Sequence, residues 1–83
     1  MRLPRDIAGH DLARALGALG YRITRQTGGH IRLTTSEHGE HHLTIPAHDD
    51  LRVGTLAAIV AEVARHFEMS REEVVERLFG RKR

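Results

Sequence analysis

With 83 residues, 40% of them hydrophobic, and no cysteine, the chain reads as one small domain, residues 1–83, whose modest core must stand without disulfides or a cysteine-bound zinc. No window approaches the ~18–20 apolar residues of a membrane span, and the opening MRLPRDIAGHD lacks the apolar run of a secretion signal, so a cytoplasmic protein with no membrane partner is expected. The net charge of +2 conceals an asymmetry: residues 1–36 carry +4 and residues 37–50 carry −4.

Leu12, Ala15, Leu16 and Leu19 recur at helical spacing and Gly20 follows them, which predicts a first helix over 9–19. From Tyr21 the period drops to two. Tyr21 and Ile23 alternate with Arg22 and Thr24 in a first strand. After the Gly28-Gly29 turn, Ile31 and Leu33 alternate with His30, Arg32 and Thr34 in a second. After SEHGEH, Leu43 and Ile45 alternate with His42 and Thr44 in a third strand that Pro46 ends. AHDDLRVGT leads to a second helix at about 55–67, with Thr55 as its cap and Leu56, Ile59, Val60, Val63 and Phe67 as its apolar face. SREE at Ser70–Glu73 is a capping-box pattern that opens a third helix at about 70–79, and its Val74, Val75, Leu78 and Phe79 end at Gly80.

The order α-β-β-β-α-α predicts an α+β fold: a three-stranded antiparallel sheet with helices on one face, plus a C-terminal helix. Tyr21, Ile23, Ile31, Leu33, Leu43 and Ile45 would lie beneath the helices. Arg22, Thr24, His30, Arg32, Thr34, His42 and Thr44 would then form an outer face that is cationic and nearly free of acid. Twelve of the thirteen basic residues are arginines, whose planar fork suits phosphate, so nucleic acid is the first partner to consider. The tail Arg81-Lys82-Arg83 would add nonspecific attraction to RNA. EHGEHH invites a metal reading, but a structural zinc needs four ligands of defined geometry, and the neighbours His41 and His42 point to opposite faces of a strand. No metal and no cofactor are expected.

Four segments follow one another between about Ile7 and Phe67: LGY at the end of the first helix, TGGH before a strand, TIPAH, and RVGTL at the start of a helix. In that order and spacing they resemble the HicA (YcfA-like) family of small toxins, and the element order resembles the double-stranded RNA-binding domain (dsRBD). The family resemblance covers a core of about 7–67 and implies a metal-independent endoribonuclease that cleaves mRNA and is blocked by a HicB-like antitoxin. The family's catalytic histidine, which follows the glycine turn, falls on His30, and the histidine of its Pro-x-His motif falls on His48. The chain departs from the pattern at three places. Gly29 stands where many members have serine, Arg52 stands near the expected lysine, and Asp49 and Asp50 add acid beside His48.

The chemistry is consistent with that resemblance. RNA brings its own nucleophile, the 2′-hydroxyl, so cleavage needs a general base, a general acid and cations for the charge that builds on phosphorus. An imidazole, with an ordinary pKa near 6.5, can serve in either protonation state. Gly28 and Gly29 would leave room for a phosphate against the backbone, His30 would stand beside it, and Arg32 and Arg22 would hold neighbouring phosphates from the same face. Two readings from other classes use the same residues differently. One is a noncatalytic RNA-binding module on the cationic face. The other is a protein–protein adaptor, or a homodimer contact, through the apolar stripe of the third helix.

Overall fold

The computed structural model describes residues 3–80, and the tail Arg81-Lys82-Arg83 lies outside them. The chain runs α1 (Gly9–Ala15), a 3₁₀ turn (Leu16–Leu19), β1 (Arg22–Thr27), β2 (His30–Thr35), β3 (His41–Pro46), α2 (Val53–Phe67) and α3 (Arg71–Phe79). The first helix thus spans the expected stretch, but its last turn tightens to 3₁₀, and Gly20 at φ +83° stops it. The strands form one antiparallel sheet in the order β1-β2-β3, as the short connections require. No helix among the described residues is long and apolar enough to cross a membrane.

The helical layer lies on one face of the sheet. Leu12 of α1, Leu16 of the 3₁₀ turn, Ile31 and Leu33 of β2, Ile45 of β3, and Val60 and Val63 of α2 are all fully buried in one cluster. Each such side chain is worth roughly 1.5–3 kcal/mol relative to exposure, so these few residues supply much of the driving force. Thr35 is the one buried polar side chain among the described residues, and it is satisfied. Its hydroxyl donates to the Leu19 carbonyl at 3.1 Å and accepts from the Glu37 N–H at 3.0 Å. The α3 stripe turns inward. Val74 is fully buried, and Val75, Leu78 and Phe79 pack against the cluster, with α3 resting on α2 and on the 3₁₀ turn. Ser70 caps α3 as expected, its Oγ accepting from the Glu73 N–H at 3.0 Å.

Two expectations need correction. The second helix begins at Val53, not Thr55, and its N-cap is Arg52 with no side-chain cap bond. Backbone geometry does the work there: Arg52 is extended and its carbonyl accepts the Leu56 N–H at 3.0 Å, which places Thr55 inside the first turn. Ile23, expected in the core, is 48% exposed. It faces the helical side opposite Leu33, but β1 is an edge strand and every one of its residues is exposed.

Candidate functional site

Strand pairing stacks the outer face in three rungs. Thr27, His30 and Pro46 form the rung nearest the β1–β2 turn; Arg25, Arg32 and Thr44 form the next; Arg22, Thr34 and His42 form the third. His30 is therefore on the open face, as its position behind the glycine turn predicts, and it is exposed. Gly28 holds φ at +42°, a conformation that favours glycine, whereas Gly29 is not among the residues with positive φ. A side chain built at Gly29 would meet nothing within 4 Å, so the turn strictly calls for only one of its two glycines.

The Gly29 carbonyl has a separate task. It accepts the Ala47 N–H at 2.7 Å, prolonging the β2–β3 ladder past Pro46. The His48 carbonyl then accepts the Gly9 N–H at 2.9 Å, and the Leu51 N–H donates to the Ile7 carbonyl at 2.9 Å. The Pro46–His48 segment is thus strapped between the turn and the start of α1. This brings Gly28, Gly29, His30 and the chain at His48 to one end of the sheet, with the His48 side chain exposed. Arg32 stands one rung from His30 and Arg22 two, so Arg22 belongs to the same face but not to the same end.

Sequence reasoning missed two contributors. The first is Gly9, which is buried and lies so close to the strap that a Cβ there would collide with the Pro46 carbonyl oxygen. The second is Arg25. Strict alternation from Tyr21 would turn Arg25 toward the helices, but a β-bulge between Ile23 and Arg25 inserts Thr24 and reverses the phase. Hydrogen bonds on either side of the bulge mark the two faces. Thr24 Oγ1 lies 3.1 Å from Thr34 Oγ1 on the outer face, while Gln26 Nε2 lies 3.2 Å from His10 Nε2 of α1 on the inner side. The signal for the bulge in the sequence is slight, because RITRQT has no apolar residue after Ile23 to mark the phase.

The remaining histidines gather at the other end of β2 and β3. His41 Nδ1 accepts the Tyr21 hydroxyl at 2.7 Å, and its Nε2 lies 3.4 Å from Glu62 Oε2 of α2. The His66 ring stacks on His41 at 4.4 Å, and its Nε2 lies 3.0 Å from the Glu37 and Gly39 carbonyls, so that nitrogen carries the proton. His38 Nδ1 donates to the His66 carbonyl at 3.1 Å. Desolvation and the neighbouring His66 lower the His41 pKa, while burial, aided by Glu62, pushes Tyr21 up to about 12. These rings tie the β2–β3 loop to α2. His42 faces the other way and bonds Thr34 Oγ1 at 2.8 Å, so the EHGEHH histidines diverge.

A family model described as the HicA toxin of bacterial toxin–antitoxin systems matches residues 9–67. No curated protein and no solved structure matches the chain.

Proposed function

Matched over most of its length, the chain belongs to the HicA toxin family of bacterial toxin–antitoxin systems, and from that membership we propose that it is a metal-independent endoribonuclease acting on mRNA in the cytoplasm. Membership implies an antitoxin partner; that this partner is HicB-like belongs to the proposal.

The observation that carries the reading is the setting of His30. It is an exposed imidazole on the one sheet face the helices leave open, directly behind the Gly28-Gly29 turn. Among the described residues no side-chain hydrogen bond or ion pair engages it, whereas the rings of His38, His41, His42 and His66 are all bonded within the fold. A free imidazole can meet the RNA. His30 acts as general acid or base: the 2′-hydroxyl gives up its proton to the imidazole or to water, the 2′-oxygen bonds to phosphorus, the bond to the 5′-oxygen breaks, and that oxygen leaves with a proton from the imidazolium or from water. The product ends carry a 2′,3′-cyclic phosphate and a 5′-hydroxyl. Such a group contributes on the order of 10²–10⁴ in rate. Gly28 and Gly29 leave space for the phosphate, Arg32 and Arg22 supply cations along the same face, and His48 stands at the same end as a phosphate contact.

The test is cleavage of single-stranded RNA in EDTA by the purified protein and by His30→Ala. The expected result is cutting by the wild type, none by the variant, and RNA binding by the variant close to wild type. Equal cutting by both would remove His30 from the chemistry. Binding by the wild type with no products between pH 5 and 8 would leave a noncatalytic RNA-binding module.

A further inference from the structure

The bulge at Thr24 sets two guanidinium-bearing residues, Arg25 and Arg32, directly opposite each other on adjacent strands. Like charges in that position repel, so the sheet gains nothing from the pair. Nothing neutralises it either: among the described residues no carboxylate pairs with Arg22, Arg25 or Arg32, and the four ion pairs present all lie elsewhere. The third member of the rung, on β3, is the neutral Thr44. Paired strands lie about 4.8 Å apart, so an anion seated above the two residues would be within reach of both forks. Outward residues two apart along a strand stand ~6.6 Å from each other. The rung is therefore one step from His30, a spacing on the scale of neighbouring phosphates in a single strand.

Resting on the ribonuclease reading, we propose that Arg25 and Arg32 form a two-arginine clamp for the backbone phosphate next to the bond presented to His30. The clamp recognises backbone, not bases. The outer rungs hold threonine, arginine, histidine and proline but no phenylalanine, tyrosine or tryptophan, and Tyr21 is turned inward onto His41. The substrate class is accordingly single-stranded RNA read through its sugar-phosphate chain.

The experiment measures binding of a fluorescent, fully 2′-O-methylated single-stranded oligonucleotide, which lacks the nucleophile, across a range of salt concentrations. Arg25→Gln should weaken binding by about tenfold or more, the scale of a lost charge-assisted bond, and lower the slope of log affinity against log salt by nearly one. Its melting temperature should equal or exceed that of the wild type, because a like-charge contact has been removed. Arg25→Lys should keep the slope and lose part of the affinity, since it keeps the charge without the fork. Arg71→Gln on α3 should change neither. Unchanged affinity and slope in Arg25→Gln would overturn the clamp, even if antitoxin binding fell, and so would a lower melting temperature with unaltered affinity. No RNA binding or cutting by the wild type would instead overturn the ribonuclease reading itself.

Discussion

Replacing Gly9 by alanine tests whether the strap positions the candidate site. At an open helical position the change would stabilise by up to about 1 kcal/mol through helix propensity. Here the new methyl would overlap the Pro46 carbonyl oxygen and come within 3.2 Å of the Ala47 Cα, both backbone atoms that cannot rotate away. Overpacking of this kind costs roughly 1–3 kcal/mol. Relief would require α1 and the strap to separate, which would break the 2.9 Å bond from the Gly9 N–H to the His48 carbonyl. A buried donor left unpaired adds about 1–3 kcal/mol. After the propensity gain, the net loss is on the order of 1–5 kcal/mol, to be set against the ~4–12 kcal/mol expected of a domain this size. At ~4–8 °C per kcal/mol, the melting temperature should fall by roughly 4–40 °C. Far-UV circular dichroism melts of Gly9→Ala beside Gly54→Ala, where a Cβ would meet nothing within 4 Å, separate the collision from any general effect of the substitution. A Gly9→Ala protein melting within about 2 °C of wild type would refute the strap argument, because the propensity gain is already counted in the net loss.

Stability should fall on both sides of neutrality for reasons that meet at one contact. The fold takes up a proton at His41 less readily than the unfolded chain, whose imidazole titrates near pH 6.5, so stability should decline as pH falls below about 6.5. It should decline again as pH rises from about 10 toward 12, where the unfolded chain has lost the Tyr21 proton and the fold still keeps it. Tyr21→Phe should flatten the alkaline side in pH-dependent melts while costing about 0.5–1.5 kcal/mol at neutral pH for the bond to His41; an unchanged alkaline side would contradict the assignment. Val74→Ala should destabilise by about 2 kcal/mol in urea unfolding, because the side chain is fully buried. A neutral result would free the α3 stripe for the adaptor role.

The legible parts of this fold were those in which local pattern and tertiary demand agree. Leu12, Leu16 and Leu19 ahead of Gly20, and Ser70 ahead of Glu73, mark helix ends by local chemistry that the fold keeps. β2 and β3 alternate along their whole length because β2 is central and the buried face continues across both. His30 was placed on the open face by that alternation alone. β1 alternates only as far as Ile23; beyond it the phase is set by pairing with β2, so the bulge and the outward turn of Arg25 leave no trace in local hydropathy. Thr55 was misread because a hydroxyl before an apolar run has the look of a cap, while Arg52, an uncommon N-cap residue, supplies the extended backbone that starts α2. Gly9 and the His41–His66 stack depend on chain segments distant in sequence, which no local window contains.

The two ends of the sheet use their polar groups in opposite ways, and the contrast bears on function. At the far end Tyr21, His38, His41, Glu62 and His66 are spent on one another and on backbone carbonyls, binding the β2–β3 loop to α2. At the turn end the backbone alone holds the geometry, through the bonds at Gly29, Ala47, His48 and Gly9. Among the described residues, the side chains of His30, His48, Arg25 and Arg32 toward this end are left without hydrogen-bond or ion-pair partners. Backbone bonds position without consuming side-chain donors, so the imidazole and guanidinium groups at this end stay available to a ligand. A surface evolved only for solubility would mix charges of both signs; the middle rung instead opposes two arginines with no acid between them. An anion seated over the rung would relieve that pairing, and the RNA backbone proposed as the ligand supplies one at each nucleotide.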